Sequence, residues 1–456
     1  MLKNPSPEQT TLEMVTLESL VPKDHLLRKI DAVIDFSFIH DLVSDLYCLD
    51  NGRPALDPTL MFKALFIGYL FGVRSERQLV REIEVNVAYR WFLRLKLSDP
   101  VFDASTLSQN RRRRYRDTTV AQAIFDRIVE QAIGHGLVDG VVLYTDSTHL
   151  KANANKNRYD KVQAAKSRAD YWEALDAAVE ADRVAHGRKP LKAKAHEPAV
   201  KETRVSRTDA DAGYMVRDGK PKGFFYLDHR TVDGRFGIVT DTHATPANVH
   251  DSIVYLGRLD RQRARFGFDV AAGGLDAGYV TAGIAHGLEE RGILGVTGYR
   301  NPTPPRPGMM RRKVFVYEAA VDGYRCPEGQ LLAYATTDRE GYRHYRSDPA
   351  ICRTCPLLAS CTTNAKAQRT ITRHVWREAW ERTDAHRLTE WGKRIYKRRK
   401  ETVERSFADA KQLFGHRYAR FRGLVAVQTQ CLLAAAAQNI KKIALAIAPK
   451  PATGAT

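Results

Sequence analysis

The sequence has no phosphate-binding P-loop and no dinucleotide fingerprint; "GGLDAGY" (273–279) has the glycines but not the spacing. It has no internal repeat, so a solenoid or propeller is excluded. The opening "MLKNPSPEQT" lacks the apolar core of a signal peptide. No long apolar run is free of polar residues. The most apolar late stretch, 424–447, contains Gln428, Gln430, Gln438, Asn439, Lys441 and Lys442, which fits a packed helix and not a membrane span. Six cysteines in a chain that looks cytosolic do not suggest a disulfide framework. Acid is also scarce: 53 Asp and Glu face 72 Lys and Arg, a formal charge of +19. An enzyme of small metabolites has no need of that surplus, whereas a protein that neutralises a phosphate backbone does.

Residues 20–135 read as helical. Asp57-Pro58 is an N-cap with proline at the first helical position, and the apolar run that follows stops at Gly72. "SERQ" (75–78) reads as a capping box, so helix, turn, helix results. Arg111, Arg112, Arg113 and Arg114 follow in the same block and are candidates for DNA contact. From 138 the texture changes to strands: "VVLYTDS" (141–147), a hairpin over Asp233-Gly234, a short strand ending at Asp276, and "ILGVTGY". Helices are expected near 248–266 and 281–291. The polar stretch 151–222 reads as an insert, a helix followed by linker. The expected organisation is a helical DNA-binding domain (1–135), a first part of an α/β core (136–300), a cysteine-containing insert (301–390) and the rest of the core (391–448).

Three acids stand out. Asp146 closes the first strand, Asp276 the fourth, and Glu404 sits in the basic stretch "KRRKETVERSFADAKQLFG" (397–415), read as one helix. Taken singly, each aspartate reads better as a turn cap, and Glu404 as a surface partner of Lys400 or Lys411. Together, at the carboxyl ends of strands, three carboxylates would repel unless a hard divalent cation held them. Two such ions suit in-line phosphoryl displacement.

These residues sit in long motifs: "VPKDHLLRKID", "GRPALDPTLMFKALFIGYLFGVRSERQL", "TDSTHLKANANK", "FFYLDHRTVDGRFGIVTDTHATPANVHDS", "LDAGY" and "RKETVERSFADAKQLFGHRYARFRGL". Through them nearly the whole chain resembles the DDE transposases of bacterial insertion sequences. That resemblance implies a mixed α/β, ribonuclease H-like core behind a helical N-terminal domain. It implies Asp146, Asp276 and Glu404 as the catalytic triad, holding two Mg²⁺ or Mn²⁺ ions. It implies cleavage of DNA at terminal inverted repeats and strand transfer, in a homodimer on DNA in the bacterial cytoplasm near the nucleoid. The readings set against it are a ribonuclease H-like nuclease without strand transfer and an inactive, transposase-derived DNA-binding protein. Many relatives share Tyr-x2-Arg-x3-Glu-x6-Lys around the glutamate. Here Glu404 and Lys411 fit, but Lys400 stands at the arginine position and Lys397 at the tyrosine position. Lysine keeps the charge without the bidentate fork; Lys400 and Lys411 are expected on DNA phosphates.

Cys326, Cys352, Cys355 and Cys361, spaced C-x25-C-x2-C-x5-C in loop-like sequence, are candidates for structural zinc, with reduced unligated thiols as the alternative. Cys48 and Cys431 read as core. Trp376 and Trp380, four apart, read as core indoles before any base-stacking role. His243, His250 and Asp251 read as a helix entry, and His149 as a neighbour of Asp146.

Overall fold

The computed structural model describes residues 9, 12–48, 55–165, 171–192, 200–216, 222–299 and 306–447. The N-terminal block is helical as its capping residues dictate. Helix α1 spans Leu26–Val33 and α2 spans Pro58–Leu70, where Asp57 accepts from the Thr59 and Leu60 amides. Gly72 then takes φ +68°, the left-handed conformation that ends such a helix cheaply. Helix α3, Glu76–Val85, starts on Ser75, whose hydroxyl accepts from the Gln78 amide. The expected capping box is only half made, because the Gln78 side chain donates forward to Glu82. Helix α4 spans Val120–Gly134.

The main sheet begins with β1, Val142–Lys151, which runs on past Asp146. Strand β2, Gly223–Asp233, pairs antiparallel with β1, and β3, Val239–Pro246, returns along β2. Helix α6 (Asp251–Phe266), which follows helix α5 (Trp172–Ala185) in the chain, leads to β4, Ala272–Leu275. Helix α7 (Ala282–Glu290) leads to β5, Leu294–Thr297. Strands β1, β4 and β5 are parallel, so the order is β3-β2-β1-β4-β5, with a short strand Gly213–Met215 pairing with the start of β2 on the same side as β3. At Gly274 of β4 a Cβ would lie 2.7 Å from the Tyr144 ring, so glycine is what lets that tyrosine lie against the strand. The 151–222 insert is more ordered than its polarity suggests: Tyr159–Ala165 and Val200–Ser206 pair as a ribbon on either side of α5. The 193–199 and 217–221 parts of the expected linker lie outside the described residues.

The cysteine-containing insert is a separate five-stranded antiparallel sheet. Its strands are β6 (Val316–Glu318), β7 (Gly323–Arg325), β8 (Leu331–Thr337), β9 (Tyr342–Arg346) and β10 (Thr370–His374), packed round Tyr324, Leu332, Tyr345 and Ile371. Helices α8 (Arg377–His386), α9 (Glu390–Arg398) and α10 (Val403–Gln412) return the chain to the main sheet. Helix α11, Leu424–Ile447, closes the fold. Its small residues Ala434 to Ala437 are buried and let it press against α1, α2, α4 and β3 at once. One apolar cluster therefore runs from Ile30, Phe66 and Ile128 through Leu433 and Ile440 to Leu143 and Val239. Among the described residues no helix is long and apolar enough to cross a membrane.

Candidate active site

The β1–β4 ladder brings the two aspartates together. Its last pair is Thr145 with Leu275, so Asp146 and Asp276 are the next residues on two adjacent parallel strands. Beyond Leu275 the chain turns, and the Asp276 carboxylate accepts from the Gly278 amide at 2.7 Å. Asp146 does not close its strand, as its sequence position suggested. It lies mid-strand, opposite Arg230 of β2, where the parallel pairing ends. Burial pushes its carboxyl up to about 6; Asp276 and Asp251 add to the rise, while Arg399 and the Ser147 amide oppose it.

Glu404 approaches from the α9–α10 junction. The stretch 397–415 is not one helix: α9 stops at Arg398, and four residues of turn precede α10. Thr402 breaks the helix. Its backbone sits at φ −105°, ψ −96°, and its hydroxyl donates to the Arg398 carbonyl at 2.9 Å. Lys400 therefore lies exposed on the turn and does not share a helical face with Glu404 and Lys411. Glu404 is in the first turn of α10, where the helix dipole favours an acid, and its side chain is half exposed.

The turn directs Arg399 inward instead, a residue the sequence reading passed over. It is 4% exposed; its Nη2 donates to Asp146 Oδ2 at 2.7 Å, and its Nη1 lies 3.8 Å from Glu404 Oε1. Arg399 thus links two of the three acids. Its only signal in the sequence was membership of a run of four basic residues.

On the opposite face of β1, Ser147 donates to Asp251 at 2.8 Å. The His250 side chain caps α6, as its helix-entry reading implied. His229, pushed down to about 4 by burial, lies 3.7 Å from Asp251 and bonds Thr245. Among the described residues, the one His/Cys/Asp/Glu trio whose ligand atoms all lie within 4.8 Å of one another is Asp228, His416 and Cys431. Arg230 already supplies a cation there: its Nε donates to Asp228 Oδ2 at 2.8 Å, and both side chains are wholly buried. A divalent ion beside that guanidinium would add like charge in a low dielectric, so the trio is a structural knot.

The four arginines divide. Arg111 pairs with Glu76 and lies over the Phe421 ring at 3.9 Å; Arg114 lies over Tyr47 at 3.8 Å. Both bind the protein itself, and only Arg112 and Arg113 are exposed. The four insert cysteines are free and partly buried, and burial pushes the Cys361 thiol up, with Cys352, Cys326 and Cys355 near enough to add to the rise. Cys48 is exposed, not core, whereas Cys431 is buried as expected. Trp376 is buried, stacked at 4.3 Å on His286, but Trp380 is only partly buried, with Arg377 over its ring at 3.7 Å.

Residues 15–113 match the transposase domain DUF772, and residues 325–444 match the transposase DDE domain, a span that includes Glu404, Arg399, the four insert cysteines and strands β8 to β10. No curated protein and no solved structure matches the chain. The helical block and the Glu404 segment each match a transposase domain, and together the two matches support a DDE transposase of an insertion sequence.

Proposed function

We propose that the chain binds the terminal inverted repeats of its element, cleaves DNA to free a 3′-hydroxyl, and joins that hydroxyl to target DNA. The observation that carries this reading is the juxtaposition of Asp146 and Asp276 at the end of the parallel ladder, with Glu404 tied to Asp146 through Arg399. The strand order, three parallel strands with an antiparallel pair beyond β1, supports a ribonuclease H-like core.

The acids fit a divalent cation. They offer hard carboxylate oxygens, and Asp276 and Asp251 add to the rise that burial gives Asp146, an anionic surrounding that a cation would neutralise. Asp146, Asp276 and Glu404 would hold two Mg²⁺ or Mn²⁺ ions, which when bound activate the attacking oxygen and stabilise the leaving one. The chain's own part is positioning. β1 and β4 hold two carboxylates in fixed register, and α10 presents the third from the solvent side, where DNA must arrive. Lys400, Lys411, Arg112 and Arg113 serve phosphates around the cleft. Cys326, Cys352, Cys355 and Cys361, which lie near one another but with no three sulfurs within 4.8 Å, would draw together round a structural zinc, and two copies assemble on paired ends.

Glu404→Gln tests the reading in Mg²⁺ on DNA carrying the element's ends. Cleavage and joining should collapse while DNA binding persists, since one negative charge leaves a basic cleft. A surface partner would be nearly silent, worth about 0–1 kcal/mol. Near wild-type cutting would refute the role of Glu404. Cutting of wild-type ends without joining, given a pre-cleaved 3′ end, would favour a nuclease over a transposase.

A further inference from the structure

We propose that Arg399 is a resident counter-ion of the acid cluster: its guanidinium occupies the charge position that a divalent cation needs, and loading of the site requires it to withdraw. This rests on the reading of Asp146, Asp276 and Glu404 as cation ligands.

Three observations carry it. First, Arg399 is nearly fully buried and spends its hydrogen bond on Asp146 Oδ2, an oxygen that a cation would also take. A carboxylate oxygen held at 2.7 Å by a cationic donor is a poorer ligand for a second positive charge. Second, the guanidinium is incompletely satisfied: its Nε is buried with no hydrogen-bond partner among the described residues, and the Glu404 contact at 3.8 Å is an ion pair without a hydrogen bond. It is held by charge, not by a closed network. Third, Arg399 sits on the turn between α9 and α10, so its withdrawal breaks no helix, and the Tyr396 ring 5.5 Å away offers a neighbouring surface. The phosphates of arriving DNA supply a second anion for the freed guanidinium. The charges facing Arg399 are Asp146 and Glu404 directly, with Asp276 and Asp251 behind Asp146. Without a cation of some kind that group is strongly repulsive.

The test is Mn²⁺ binding to the full chain without DNA, read from the free-ion electron paramagnetic resonance signal at neutral pH. Wild type, Arg399→Met, Arg399→Lys and Asp146→Asn are compared, each checked for folding by circular dichroism. Removal of a unit charge a few ångströms from the site should tighten Mn²⁺ binding by about tenfold or more in Arg399→Met, and Arg399→Lys should fall between it and wild type. Arg399→Gln, neutral but able to donate to Asp146, gives the same comparison if the methionine variant does not fold. Unchanged or weaker binding in the neutral variants, while Asp146→Asn abolishes wild-type binding, would overturn the counter-ion role alone. Mn²⁺ binding indifferent to Asp146→Asn would overturn the ligand reading as well.

Discussion

Replacing Arg230 with methionine should unfold the protein at a markedly lower temperature, without touching any residue assigned to DNA or cation. Arg230 is wholly buried on β2 and makes three side-chain bonds: Nε to Asp228 at 2.8 Å, Nη1 to Gln438 at 3.0 Å and Nη1 to Ser406 at 3.3 Å. These join the sheet to α10 and α11. Methionine fills much of the volume but leaves Asp228, also wholly buried, with only His416 and Thr242 as donors. Burial pushes the Asp228 carboxyl up, but Arg230, His416 and Thr242 together hold it well below the usual carboxylate range. An uncompensated buried charge costs about 3–5 kcal/mol. At roughly 2–4 °C per kcal/mol, the melting temperature should fall by about 6–20 °C. The assay is differential scanning calorimetry at pH 7.5. Because the cost is the orphaned charge, Asp228→Leu/Arg230→Met should recover part of the loss, about 2 kcal/mol. A melting temperature within about 2 °C of wild type for the single variant would refute the argument. A double variant no better than the single would show that the guanidinium matters for its bonds to Ser406 and Gln438 instead.

The buried histidines give a pH test. Burial pushes His229 and His243 down to about 4, so each contributes stability present above the unfolded value near 6.5 and lost as pH falls from there towards 4. Asp146 and Asp233, pushed up to about 6, work in the opposite sense, so the comparison is made within one variant pair. In denaturant melts, His243→Asn should flatten the pH 6.5–4.5 slope by about 1.4 kcal/mol per pH unit; an unchanged slope counts against neutral burial. Elemental analysis of protein never exposed to chelator should find about one zinc per chain, lost on Cys352→Ser; none in the wild type would leave the cysteines as free thiols. Arg112→Ala/Arg113→Ala should weaken DNA binding and flatten its salt dependence by about two contacts, whereas Arg111→Ala should lower stability with a smaller effect on salt dependence. Equal effects on binding would show that Arg111 leaves Glu76 to meet DNA.

What could be read from the sequence follows the range of the forces involved. Asp57-Pro58, Ser75, the Asp233-Gly234 hairpin and the strand leading to Asp276 are local signals, and each lies where its residues indicate. That Asp146 and Asp276 lie side by side was legible from the strand-like runs before them, although Asp146 sits mid-strand and not at the strand end the sequence suggested. Glu404 was legible only by motif. Arg399 was not, because a basic run looks alike at every position until a break such as Thr402 decides which member turns inward. The same limit applies to Arg111 and Arg114, whose partners Glu76 and Tyr47 are long-range. Cys48 failed for the opposite reason: its apolar preference is a statistical tendency that fixes no one position as buried. The ribbon strand Val200–Ser206 was hidden by polarity, since a two-stranded ribbon needs little apolar burial.

The order of synthesis bears on what the acid pair can do while it is being made. Asp146 and Arg399 are 253 residues apart, and α11, which braces β3 and the N-terminal helices, comes later still. At roughly 5–20 residues per second, a ribosome needs about 13–50 s to travel from the first acid to its guanidinium. Throughout that interval the nascent chain carries Asp146 without Arg399 or Glu404, and its sheet lacks the helix that seals one face. A chain interrupted anywhere in that interval would have no complete set of acids, and without α11 its N-terminal helices would leave their share of the common apolar cluster uncovered.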